Sequence, residues 1–181
     1  MASTAETAPG PRTPGSLIAL ETNKGTLELE LFDQDTPITA GSFLLLVKQG
    51  FYDGLNFHRL VPGFVIQGGD PQGDGSGGPG FRLPLEVSPT LRHDRGVVAM
   101  ARSAMRDSAG SQFYICLGGP DAVGHLDDDY AVFGRVVQGM DIVDQLGVGD
   151  VMVKVTVTQL SPSGAAAEKA AEAGRLPVAT P

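Results

Sequence analysis

One stretch of this 181-residue chain carries more chemistry than a purely structural role explains. It reads Gly54-Leu-Asn-Phe57-His58-Arg59-Leu-Val-Pro62-Gly63-Phe64-Val65-Ile66-Gln67-Gly68-Gly69-Asp70. Arg59 and Gln67 fall in short runs that are otherwise apolar. A guanidinium or an amide so placed must be satisfied by a partner or face a ligand. The plainer reading is a paired polar couple in the core. Two further stretches have the same character: Met100-Ala101-Arg102 followed by Ala109-Gly110-Ser111-Gln112-Phe113-Tyr114-Ile115, and His125-Leu126-Asp127 leading to Tyr130-Ala-Val-Phe133-Gly134-Arg135-Val136.

Other motifs lead nowhere chemically. Gly73-Asp-Gly75-Ser-Gly-Gly78 matches G-x-G-x-x-G, but that dinucleotide mechanism needs a helix N-terminus directly after it. Pro79, Gly80 and Pro84 follow instead, so a glycine-rich surface loop is expected. Read as a calcium loop, the same segment offers Asp70, Gln72, Asp74 and Gly75 but puts Phe81 where a bidentate glutamate is required. Asp127-Asp128-Asp129 reads as a solvated turn, and His58, His93 and His125 share no helical H-x-x-x-H spacing, so no metal site is expected. Ser111 lies outside any G-x-S-x-G elbow. Cys116, between Ile115 and Leu117, reads as an inert core thiol, and as the single cysteine it excludes an internal disulfide. No cofactor is implied.

These residues need a scaffold, and strand signals dominate. Leu27, Leu29 and Leu31 alternate with Thr26, Glu28 and Glu30, after a turn at Thr22-Asn-Lys-Gly25 that pairs them with Leu17–Glu21. Shorter apolar runs at 57–60, 64–67, 96–101, 112–117 and 131–137 add five strands. The eighth runs from Val151 to Leu160, with Val151, Val153, Val155 and Val157 expected inward. Thr36-Pro37 opens a helix through Val47 that ends at Gly50, and Met140, Val143 and Leu146 share a face of a second. Eight short strands and two helices predict a mainly β fold, an eight-stranded antiparallel closed barrel capped by two helices. The working domain spans 16–160. Residues 1–15 and the Ala/Pro-rich 161–181 lack apolar periodicity and read as flexible tails.

Composition bounds the function. Thirteen Lys and Arg against 21 Asp and Glu give a net charge of −8, the wrong field for neutralising phosphates, so nucleic acid is not an expected partner. No apolar run reaches the roughly 18–20 residues of a membrane span, and the first residues show no basic segment followed by an apolar one, so a cytoplasmic protein is expected.

The F-H-R-x-x-P-G-F-x-x-Q-G-G-D run at 57–70, with G-S-Q-F at 110–113, resembles the cyclophilin family of peptidyl-prolyl cis–trans isomerases, most closely its bacterial single-domain members. The resemblance covers about residues 16–160 and implies the same eight-stranded barrel with two helices. It implies that the substrate is a proline-containing polypeptide and that the activity assists protein folding. It assigns Arg59 as the catalytic arginine, with Gln67 and Phe64 beside it. The proline pocket is Phe64 with Phe113 or Tyr114 and Leu126, and Gln112 is a second hydrogen-bonding glutamine. Ala101 and Arg102 hold the peptide backbone, Val65 is a further substrate-binding residue, and His58, His125 and Tyr130 form the rim. A monomer is expected.

Three positions depart from the family pattern. His125 stands where cyclosporin-sensitive members carry tryptophan, so weak cyclosporin binding is expected. Tyr130 replaces the family's rim histidine, and Ala104-Met105 replaces its usual Gly-Pro. A second reading, a proline-peptide binding or chaperone module without turnover, needs only the apolar pocket and leaves Arg59 unexplained.

Overall fold

The computed structural model describes residues 13–174. Its strands are β1 (Leu17–Thr22), β2 (Gly25–Leu31), β3 (Phe57–Val61), β4 (Val65–Gly68), β5 (Val97–Met100), β6 (Phe113–Cys116), β7 (Val132–Gln138) and β8 (Met152–Gln159). They form one antiparallel sheet in the order β3-β4-β6-β5-β7-β2-β1-β8. The eight expected strands are therefore present. Closure is partial: the edge strands meet where Leu55 and Phe57 exchange backbone hydrogen bonds with Gly149, Asp150 and Met152, around a single bridge between Asn56 and Val151.

The inner face is a continuous apolar core. Leu27, Leu29 and Leu31 are fully buried as their alternation predicts, and Ile66, Phe113, Ile115 and Phe133 join them. β8 departs from the expected phase. Met152 and Val155 are buried while Val153 is 55% exposed, because the β1 register slips between Glu21 and Thr22. The slip inserts one residue into β8, and a bulge of that kind reverses which side chains face inward.

Helix α1 (Pro37–Lys48) covers one end of the barrel and drives Phe43 against Tyr52, Phe113 and Phe133. Its Thr36 hydroxyl bonds back to the Phe32 carbonyl instead of capping the helix. Glu86, from a distant loop, accepts the free Ile38 and Thr39 N–H groups at 3.0 and 2.8 Å. Two short helices, α2 (Pro120–Val123) and α3 (Met140–Val143), follow, with a 3-10 turn at Gly124–Leu126 after α2.

The expected C-terminal tail is ordered over much of its length. Pro162–Ala173 form a fourth helix, α4, packed on α1. Gly41 permits the contact, since a Cβ there would lie 2.3 Å from the Ala167 carbonyl oxygen. Ser161 caps the helix through the Gly164 N–H and donates to the buried Asp33 carboxylate, while Lys48 pairs with Glu168 at 2.6 Å. Alanine's small side chain lets two helices approach closely without any long apolar stripe, which is why periodicity gave no warning. Of the expected N-terminal arm, residues 1–12 lie outside the described residues, as do 175–181 of the tail.

Candidate active site

The candidate residues gather on the outer face of the barrel. Cross-strand partners share a face, and Arg59 opposes Gln67, which opposes Tyr114, which opposes Ala99. Phe57, two residues before Arg59, points into the core. Strict alternation would bury Arg59 beside it. A bulge at His58, visible as a register shift between Phe57 and Arg59, re-aims the guanidinium outward.

A hydrogen-bonded chain runs along this face. Arg59 Nη1 donates to Gln67 Oε1 at 3.3 Å, and Gln67 Nε2 donates to Gln112 Oε1 at 3.0 Å. Gln112 Nε2 in turn donates to the Gly75 and Gly77 carbonyls, each at 2.9 Å. The glycine-rich loop is thus the anchor of the chain. Asp70, 1% exposed, shapes that loop by accepting the Gln72, Asp74 and Gly75 N–H groups. A Cβ at Gly77 would collide with Asp70 Oδ1 at 2.2 Å, so the tight wrap requires glycine.

Beside the chain lies an apolar surface. Tyr114, Val65 and Cys116 form its buried base, with Phe64, Ala101, Leu126 and Tyr130 packed on them. The sequence left Phe113 and Tyr114 both open as pocket residues. Tyr114 is the one of the two that belongs to this outer surface, opposite Gln67. Phe113 is fully buried inside the barrel, edge-on to Phe43 and Tyr52, and cannot meet a ligand. Val65, 2% exposed, underlies the pocket and does not line it. His125 stacks on Phe64 at 5.6 Å, and Arg102 lies over the Tyr130 ring at 4.8 Å while donating to the Asp129 and Ser103 carbonyls. His58 sits at the edge near Gly75, its buried Nδ1 without a hydrogen-bond partner. Ala101 N–H donates to the Gln112 carbonyl, which ties β5 to β6 across the site.

The support beneath Tyr114 was not expected. His93 is buried, and its Nε2 lies 2.8 Å from the Tyr114 hydroxyl, while its Nδ1 and backbone N–H both reach Asp127 Oδ1, at 2.8 and 2.7 Å. A carboxylate accepts only, so Nδ1 carries the proton, and the bare Nε2 accepts from the tyrosine. Burial holds the His93 pKa below the ordinary value against the opposing pull of Asp127. Burial also pushes Asp127 up, but the two His93 bonds and the nearby charges outweigh it and leave the carboxyl below its usual range. Asp127 is therefore a buried-network acceptor, whereas Asp128 and Asp129 are the solvated residues the sequence suggested. Leu91 and His93 are buried while Arg92 and Asp94 are exposed, an alternation that could have flagged His93. Burial pushes the Cys116 thiol up to about 12, as befits an unreactive core residue, and the Ser111 hydroxyl donates to the Gly69 carbonyl.

Arranged this way, a fixed cation beside an apolar shelf can bind a proline ring and polarise its amide without moving a proton. The family model for cyclophilin type peptidyl-prolyl cis-trans isomerases matches residues 17–161. A peptidyl-prolyl cis-trans isomerase of Helicobacter pylori is 44% identical over 75% of this chain and 83% of its own length. Peptidyl-prolyl cis-trans isomerase B of Bacillus subtilis is 41% identical over 72% and 90%. The crystal structure of a Cryptosporidium parvum cyclophilin type isomerase, determined in the presence of the dipeptide Ala-Pro, superposes with a TM-score of 0.74 at 30% identity, covering 79% of this chain and 99% of that one. The chain belongs to the cyclophilin-type peptidyl-prolyl cis-trans isomerase family. It is an isomerase of X-Pro peptide bonds.

Proposed function

We propose that this isomerase assists protein folding by lowering the rotation barrier through Arg59, with proline-containing polypeptides as substrates. Rotation about an X-Pro bond costs about 18–20 kcal/mol because the nitrogen lone pair is conjugated with the carbonyl. A planar, permanently charged guanidinium aimed at the proline nitrogen localises that pair and favours the twisted state. Phe64, Tyr114 and Leu126 receive the ring and exclude water. Gln67 fixes Arg59, Gln112 fixes Gln67, and the main chain at Ala101 and Arg102 binds the peptide, with His58, His125 and Tyr130 at the rim. Turnover near 10³ s⁻¹ corresponds to a barrier of about 13 kcal/mol, so the site supplies about 6, within reach of positioning and preorganised electrostatics.

The observation that carries this reading is the Arg59–Gln67–Gln112 chain running beside the apolar pocket. A binding module without turnover would have no use for it. The site is complete within one chain, which supports a monomer. His125 contributes a small, polar ring at the rim, which supports weak cyclosporin binding; His125→Trp should tighten it by adding apolar area and an indole donor. A protease-coupled isomerisation assay on an Ala-Pro peptide tests the proposal: acceleration over the uncatalysed rate is expected, and tight binding without acceleration would overturn it.

A further inference from the structure

Arginine pairing in this protein divides by location. Among the described residues, Arg92, Arg95 and Arg135 each hold a carboxylate, at 2.9, 2.6 and 3.4 Å. None of them lines the groove of about 540 Å³ that extends from Gln67 and Gln112 past the glycine-rich loop. Arg82 and Arg102 do line it, Arg106 lies in the loop between its wall residues Ser103 and Ser108, and Arg59 adjoins it through Gln67. None of these four holds a carboxylate. Among the described residues, the arginines without a carboxylate partner are gathered at this one groove.

Nearby carboxylates are committed elsewhere. Asp74 accepts from the Ser76 N–H and hydroxyl, Asp107 from the Leu85 N–H, and Asp70 from its own loop. No acidic side chain lines the groove. Arg102 spends its donors on two carbonyls and the Tyr130 face. Arg82 spends almost none: its one polar contact is Met105 Sδ at 4.0 Å. It is exposed and carries a fork of donors with no acceptor.

We propose that Arg82 selects substrates, favouring peptides with a glutamate or aspartate within a few residues of the proline, whose carboxylate enters this groove. The proposal rests on the isomerase reading and adds a substrate class to it. Because Arg82 is exposed, the preference is modest, roughly three- to fivefold between Glu and the isosteric Gln, and it is sensitive to salt.

The test is a peptide series built on a neutral Ala-Pro core, with Glu, Gln or Lys at each of three positions on either side of the proline. Isomerisation is read by magnetisation exchange, which needs no protease, and affinity by titration of the same peptides. At one position Glu should exceed Gln about three- to fivefold, Lys should fall below Gln, and the ratios should approach one in 1 M salt. In Arg82→Gln the Glu/Gln ratio should fall to near one, a comparison within one variant that does not depend on its active fraction. Glu/Gln ratios near one at every position in the wild type, or a preference that Arg82→Gln leaves intact, would overturn the proposal. Loss of turnover on the neutral peptide would instead strike the isomerase reading, while the titrations would still decide the acid preference.

Discussion

Removing the hydroxyl of Tyr114 isolates the buried network under the proposed proline pocket. Tyr114→Phe keeps the ring, so the pocket floor is unchanged, but the bare Nε2 of His93 loses its only donor at 2.8 Å. An unsatisfied buried acceptor costs about 1–3 kcal/mol. His93→Phe acts twice: it strands the hydroxyl of Tyr114, which is 4% exposed, and removes the ring N–H from Asp127, leaving that carboxylate its backbone bond at 2.7 Å. About 2–4 kcal/mol is expected. In the double variant both ends of the 2.8 Å bond are gone, so its loss is counted once and a coupling energy of about 1–2 kcal/mol should appear. Urea denaturation of the four proteins measures it. The active-site readout is separate: Tyr114→Phe should keep kcat/KM within about threefold, whereas His93→Phe should raise KM more than it lowers kcat, because Asp127 holds the backbone that carries Leu126. Additive destabilisation, with no coupling beyond error, would refute the idea that one bonded network holds floor and wall together.

Other consequences follow from the same structure. His93 has a folded-state pKa below its unfolded value near 6.5, so the unfolded chain binds more protons; stability should be level above that pH and decline as pH falls through the folded pKa, while Asn23 and Lys24 hold Asp150 at about 2 and add a further acid-side loss below about pH 4, all readable from urea midpoints across pH. Truncation after Ser161 removes α4 and uncovers the Gly41 face of α1, and should lower stability by about 1–2 kcal/mol, or roughly 2–8 °C in Tm, with turnover unchanged; an unshifted Tm would mean that α4 contributes nothing. Gly41→Ala in the full chain should mimic the truncation, since the added methyl collides with Ala167.

The sequence made most of this fold legible because strands here obey period two and their turns fall at glycine. Where strict alternation fails, an inserted residue is at work. The extra residue in β8 moved Val153 outward and Met152 inward, and the bulge at His58 put Arg59 on the outer face. No alternation rule contains these slips, because they depend on the partner strand. The choice between Phe113 and Tyr114 was undecidable for the same reason: adjacent strand residues face opposite ways, and only the sheet register says which is outside. The docking of α4 depends on smallness, which carries no hydrophobic pattern. His93 and Asp127 are 34 residues apart in sequence and meet only through tertiary structure.

The claim that Arg59 stabilises the twisted amide is tested most directly by Arg59→Ala, measured by isomerisation kinetics on an Ala-Pro peptide alongside circular dichroism. Arg59 is exposed and bonds only Gln67, so the variant should fold normally. Its kcat/KM should fall roughly 10²–10³-fold, the loss typical of one preorganised donor, with kcat falling more than KM rises. Arg59→Lys should recover part of it, since an ammonium keeps the charge without the planar fork that Gln67 holds. A folded Arg59→Ala that retained more than half of the wild-type kcat/KM would contradict the mechanism.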